Sequence, residues 1–362
     1  MDFLKNFQKE IDSIEGISTS SSPPRYWYGT GNYVLNKIIS GNYHNGVPQG
    51  RITCLTGDSG SGKSFLSANL LRSAQQAGAF CLVIDSENAL DDDFMSKIGI
   101  DPVNNYQYIS ISTIAQATST ISKFLKGYKK EYGESPTAPQ IFILIDSLGM
   151  LVTDTELENY DKGVTKGDQG QKNKQLKAML RTFVQDIKTL NVTMVCTSSV
   201  YKNQDLLNGL GLWIVPDGIK YACSQIVLIQ KRKLKDDSKD AKVGDFSGVR
   251  MICEGYKTRF TKPFQKVEIE VPYEAGMDEC SGLLQVAQQA GVVVSKGAWN
   301  SVMGSDEKWY GRDIAAHSKE IIQLLENLTT SFLDTDSEID TTENPSSKKL
   351  RDAKFLKTDS DG

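Results

Sequence analysis

The octapeptide Gly57-Asp58-Ser59-Gly60-Ser61-Gly62-Lys63-Ser64 restricts the fold of this chain more than any other stretch. It follows the strand-like run 51–56 and leads into Phe65-Leu-Ser-Ala-Asn-Leu-Leu-Arg72, whose apolar spacing is helical. Strand, glycine loop and helix in that order are the context a phosphate-binding loop requires. Its glycines let successive backbone N–H groups turn inward around a triphosphate, at a helix N-terminus whose dipole also favours negative charge. Lys63 would then reach the β and γ phosphates and the Ser64 hydroxyl would sit on Mg²⁺, so ATP and Mg²⁺ are the expected ligands. Phe65, first in the helical run, is grouped with the nucleotide-binding residues.

Four further apolar runs, 80–85, 141–146, 192–197 and 225–230, alternate with helical stretches. Unbroken rather than alternating apolarity marks strands buried on both faces, hence a mainly parallel sheet covered by helices, an α/β core. Residues 248–254 and 264–272 read as further strands, or a hairpin, at one sheet edge. The run 141–146 ends in Asp146, followed by Ser147. A carboxylate at the end of a buried strand beside the phosphate loop would hold the Mg²⁺ shell, usually through water. The run 80–85 is followed by Glu87, which could orient and deprotonate an attacking water or simply cap a helix; spacing leaves both readings open.

The residue inventory excludes other chemistries. Only His44 and His317 are present, far apart, which argues against a histidine metal centre or a Ser-His triad. Six single cysteines, with no C-x-x-C pair, are expected to be buried free thiols. No apolar run is long enough to span a bilayer and the charged N-terminus is no signal peptide, so an intracellular protein without membrane partners is expected. A net charge of −4 looks wrong for a nucleic-acid binder until the basic residues are located: 161–181 holds six bases against two acids.

Four segments are expected. Residues 1–28 form an amphipathic helix, with Phe3, Leu4, Phe7, Ile11 and Ile14 on one face, and a Ser/Pro linker. A helix this short must dock on something, either its own core or another protomer. Residues 29–271 form the core and 272–330 a small α/β domain ending in the helical run 318–328. Residues 331–362 form a charged, disordered tail in which 334–343 carries five acids and no base.

The motif order Gly57–Ser64, Ile84-Asp-Ser-Glu87-Asn-Ala-Leu-Asp91, Ile-Gly-Ile-Asp101 and Leu-Ile-Asp146-Ser-Leu-Gly resembles the RecA family of strand-exchange recombinases. The Ser-Leu-Gly after Asp146, the lack of a zinc module and the pair Lys257 and Arg259 look most like its phage, UvsX-like branch. The resemblance covers roughly residues 29 to 328. It implies a RecA-like ATPase core, with Glu87 as water-activating base and Asp91 and Phe94 at the adenine. It also implies that Lys257 and Arg259 reach across a subunit boundary to a neighbour's γ phosphate, although sequence alone would make them a solvated strand end.

DNA contacts are expected in two loops. The first, 153–171, runs into a basic helix, with Lys162, Lys166, Lys172, Lys174 and Arg181 as candidates. The second, 201–220, is rich in glycine and apolar residues and offers Lys202, Trp213 and Lys220. Two positions depart from the family pattern: Ser199 stands where a longer phosphate sensor is usual, and Pro216-Asp-Gly218 replaces a late glycine pair. The implied activity is that of a DNA-dependent ATPase. It would form a helical filament on single-stranded DNA, pair it with homologous duplex and meet single-strand-binding and mediator proteins in a cytoplasm, that of the host for a phage protein. The alternatives are a RecA-fold regulatory ATPase acting on a protein partner and a hexameric helicase.

Overall fold

The unbroken apolar runs become the middle of one eight-stranded sheet, in a computed structural model that describes residues 2–12, 23–164, 170–202, 213–236 and 245–328. Ahead of that sheet lie α1 (Asp2–Asp12), β1 (Trp27–Tyr28), α2 (Tyr33–Ser40) and β2 (Val47–Pro48), with β1 and β2 forming a short antiparallel pair. Then come β3 (Ile52–Gly57), α3 (Lys63–Gln76), β4 (Phe80–Asp85), α4 (Asp92–Ile98), β5 (Tyr106–Ser110), α5 (Ile114–Tyr132) and β6 (Ile141–Asp146). The chain continues through α6 (Asp154–Asp161), α7 (Gln171–Ile187), β7 (Val192–Ser199), the pair β8 (Tyr201–Lys202) and β9 (Trp213–Ile214), and α8 (Asp217–Ala222). Next come β10 (Gln225–Lys235), β11 (Phe246–Lys257) and β12 (Lys266–Pro272), followed by α9 (Leu283–Gln289), β13 (Val293–Lys296), β14 (Trp299–Val302), β15 (Trp309–Tyr310) and α10 (Ile314–Asn327).

The strand order is β12-β11-β10-β3-β7-β6-β4-β5. From β10 to β5 every pairing is parallel, and β11 and β12 add an antiparallel edge. Every residue of β3 and of β6 is buried, because helices cover both faces. Side chains alternate between two cores: Leu55 and Leu144 pack toward α2 and α3, whereas Cys54 and Ile143 pack toward α5 and α7. The first core also takes in Leu283, Val286 and Ile321, so the elements after Pro272 are anchored on the same apolar mass.

Several elements differ from the sequence reading. β5 lies at the outer edge, where Gln107 and Ser110 break the apolar run that identified its neighbours. Residues 154–161 of the expected first loop are helical, because Thr153 and Glu156 form a reciprocal capping box. Lys220 closes no loop but lies in α8, which packs against α7. Gly218 permits that approach, since a Cβ there would stand 3.2 Å from the Asn173 carbonyl oxygen. The apolar face of α1 is left uncovered by the described residues, with Phe3 and Phe7 stacked on one another and exposed. Among the described residues no helix is long and apolar enough to cross a membrane. Lys166, the leucines of 206–212 and the tail beyond 331 lie outside the described residues, as do the side chains of Lys202 and Trp213.

Candidate nucleotide site and adjoining surfaces

At its carboxyl end β3 turns into a loop that backbone chemistry alone goes far to define. Gly57 passes so close to β10 that a Cβ would lie 2.2 Å from the Ile229 carbonyl oxygen, which excludes any side chain. Gly62 takes a left-handed conformation (φ 97°) and caps the first turn of α3. Its N-terminal amides therefore stay free of side-chain caps and open toward the loop. Asp58, Ser59 and Gly60 are exposed, Ser61 is buried, and Phe65 packs half-buried on the α3 core.

Lys63 folds back across this loop, donating from Nζ to the carbonyl oxygens of Gly57 (3.2 Å) and Asp58 (2.9 Å). Burial lowers its pKa, opposed by the charges of Glu87, Asp146 and Asp58. These carbonyls hold the ammonium where a phosphate could replace them.

Asp146, at the end of β6, is buried, and burial raises its pKa, opposed by the nearby Thr197 and Ser64 hydroxyls. Its Oδ1 accepts the Thr197 hydroxyl, while Oδ2 is buried without a partner. A carboxylate oxygen left unsatisfied beside the Ser64 hydroxyl is the donor set a hard divalent cation takes, so these residues fit Mg²⁺.

Glu87 is exposed in the loop after β4, where the Ser147 hydroxyl donates to its Oε1 at 2.6 Å. The helix-capping role falls instead to Asp91, whose side chain accepts from the Phe94 amide at 2.8 Å to start α4. Phe94 is half-buried against the core, and one oxygen of Asp91 is already engaged.

Sequence reasoning missed the residues that set this loop. Buried Asp85 accepts from the amides of Glu87 (2.8 Å), Asn88 (2.8 Å) and Leu90 (3.1 Å) and from the Tyr108 hydroxyl (3.1 Å). Burial, then Asp85, pushes the Tyr108 phenol up to about 12. Ser86 ties the same loop to the β6 end, donating to the Ser147 carbonyl oxygen (2.8 Å) and accepting its amide (3.0 Å). Lys231 was missed as well: its Nζ lies 2.8 Å from where a Cβ on Gly60 would be, over the apex of the phosphate loop. The only available signal for Lys231 was its place at the end of the strand paired with β3.

Lys257 and Arg259 are not brought to this site. Lys257 shares a rung with Ile226 and Cys54, three residues below Gly57, roughly 10 Å along the strand. Its Nζ donates to the carbonyl oxygens of Lys220 and Cys223 (2.8 Å for the latter), closing the end of α8. Arg259 is exposed near Arg51, whose pKa falls through burial and then the Arg259 charge. Arg51 precedes β3, so Arg51 and Arg259 lie at the opposite end of that strand from their own phosphate loop. Ser199, in contrast, shares a rung with Gly57 and is exposed there.

Among the candidate DNA contacts, Lys174 and Arg181 are exposed seven residues apart, on one face of α7. Lys162 is exposed and pairs with Glu158 (3.6 Å), and Lys220 pairs with Asp217 (3.6 Å). Lys172 is less free, its Nζ donating to the Gly149 carbonyl oxygen at 2.6 Å. Met150, Leu157, Tyr160 and Val164 are exposed in the same stretch of chain.

A model of the RecA N-terminal domain matches residues 13–278. Curated relatives include Protein RecA of Tropheryma whipplei, 27% identical over 80% of this chain and 62% of its own length. Protein RecA of Aquifex aeolicus is 25% identical over 83% of this chain and 79% of its own length. The recombination and repair protein of Enterobacteria phage T4 is 26% identical over 76% of this chain and 67% of its own length. The chain thus spans less than two thirds of the Tropheryma whipplei relative.

Proposed function

Because the chain belongs to the RecA family, we propose that it is an ATP- and Mg²⁺-dependent DNA recombinase. It would assemble as a helical filament on single-stranded DNA and carry out homologous pairing and strand exchange. The carrying observation is that Lys63, Ser64, Asp146 with its unpartnered Oδ2 and Glu87 converge at the carboxyl ends of β3, β6 and β4. A nucleotide triphosphate would replace the carbonyls now held by Lys63. Ser64 and Asp146 would hold Mg²⁺, which when bound neutralises phosphate charge. Glu87, held by Ser147, would orient a water and take its proton as the γ phosphate leaves as inorganic phosphate, with ADP as the other product. Asp91 and Phe94 would border the adenine.

Lys257 and Arg259 would complete the site of the next protomer, which their distance from their own phosphate loop favours. Single-stranded DNA would lie along Lys162, Lys166, Lys172, Lys174 and Arg181 and, from the second loop, Lys202, Trp213 and Lys220. The exposed apolar group around Tyr160 supports the first of these surfaces, because solvent alone gives no reason for it. The face of α1 that the described residues leave exposed supports docking on a neighbour across the 16–24 linker. Residues 272–330 would act as a separate duplex-binding unit beside the 29–271 core, with 331–362 as a regulatory tail. Similarity to the phage T4 protein at 26% identity supports the phage branch, with action in the host cytoplasm alongside single-strand-binding and mediator proteins.

The test is ATP hydrolysis with and without single-stranded DNA across a salt series, for the parent and for Lys174→Ala/Arg181→Ala. Stimulation should fall steeply with salt, and the double variant should show a shallower salt slope, reduced by about two phosphate contacts. A rate indifferent to DNA would instead favour a regulatory ATPase. Removal of residues 1–20 should leave a folded monomer that retains nucleotide binding; filaments persisting under electron microscopy would refute docking through α1.

A further inference from the structure

Three of the six cysteines, distant in sequence, converge on one point of the core. Cys54 lies on β3, Cys196 beside it on the same rung of β7, and Cys223 at the C-cap of α8. Their Sγ atoms all lie within 4.8 Å of one another, and each residue is completely buried. The remaining cysteines, Cys81, Cys253 and Cys280, are free and buried, and none of them belongs to this group. With metal–sulfur bonds near 2.3 Å, three thiolates in a trigonal set stand about 4 Å apart, so only small shifts are required. Ile52, Val215, Ile219 and Ile226 belong to the same apolar cluster as the thiols, and such a shell limits solvent access to a bound ion.

We infer that Cys54, Cys196 and Cys223 form a trithiolate site for a soft, closed-shell cation of the Zn²⁺, Cd²⁺ or Cu⁺ class. Soft sulfur donors select such ions over Mg²⁺ or Ca²⁺. Binding breaks three S–H bonds, forms three S–metal bonds and releases three protons to solvent. A divalent ion then leaves the cluster with one net negative charge. The Lys257 ammonium, which donates to the Cys223 carbonyl oxygen at 2.8 Å, supplies an adjacent positive charge. The occupied site would tie the phosphate-loop strand, the neighbouring β7 and the end of α8 into one unit. None of its three ligands is itself a proposed nucleotide or DNA contact, although Cys223 meets Lys257 through its backbone carbonyl, so metal binding is read without ATP or DNA.

The test uses Cd²⁺ with the full-length chain in a phosphine reductant, added to folded protein and, separately, present during refolding. The expected result is one Cd²⁺ per chain after desalting, an ultraviolet thiolate-to-cadmium band, a trithiolate ¹¹³Cd chemical shift and a raised unfolding temperature. Cys196→Ser and Cys223→Ala should each abolish the band, while Cys253→Ser should keep it. Absence of bound Cd²⁺ by both routes would overturn the inference. So would a band that survives in folded Cys54→Ser/Cys196→Ser, or a cadmium shift showing fewer than three sulfurs in the parent protein, a measurement that depends on no variant folding.

Discussion

Replacing Glu87 with glutamine should lower ATP turnover by about 10²–10⁴-fold, the usual contribution of a positioned general base, while nucleotide affinity changes only a few-fold. Glutamine keeps the oxygen that accepts the Ser147 hydroxyl, so the side chain should stay in place and lose only its basicity. Filaments on DNA should then persist, since release is expected to follow hydrolysis. The comparison that separates chemistry from positioning is Ser147→Ala, which keeps the base but frees it; its loss of rate should be smaller. Steady-state rates and nucleotide titrations on both variants check this, and an unchanged rate for Glu87→Gln would remove the base assignment.

An effect of about 10³–10⁵-fold is expected for Arg259→Ala on DNA-stimulated turnover, if that cation acts on the neighbour's γ phosphate. Arg259 is the cleaner target, because it is exposed, whereas Lys257 closes the end of α8 in its own chain. The decisive form is a mixture. In a head-to-tail filament each interface takes its phosphate loop and Glu87 from one protomer and Arg259 from the next. Combining equal amounts of Glu87→Gln and Arg259→Ala should leave about a quarter of interfaces with both groups intact, so two inactive preparations regain activity on mixing. A mixture no more active than its components would mean that Arg259 does not act across a boundary.

What the sequence disclosed follows from how local each signal is. The phosphate loop, the strand ending in Asp146 and the α/β layering are written in contiguous runs, and each appears in the structure with shifts of a few residues. Groupings made by the sheet were not legible. Asp85 was read as the last residue of a strand: three of its donors are the amides of the loop that follows it, and the fourth, the Tyr108 hydroxyl, arrives only when β5 pairs with β4. Lys231 lies 171 positions from Gly60 and reaches it through the β10–β3 pairing. Cys54, Cys196 and Cys223 showed no metal-binding spacing, because their grouping depends on the β3–β7 register and a helix end. The first loop failed for the opposite reason: a local signal, Thr153 with Glu156, was present and was outweighed by the expectation of an irregular segment.

The hydrogen bonds of Asp85 give turnover and binding different fates on warming. The phosphate loop is rooted in the centre of the sheet, where strands are paired on both sides. The loop carrying Glu87 hangs from a carboxylate that also anchors Tyr108, on a strand paired on one side only. Outer strands open more readily than inner ones. As β5 frays, the base would lose its aim while the triphosphate cradle still stands, leaving a protein that holds nucleotide after it has ceased to spend it.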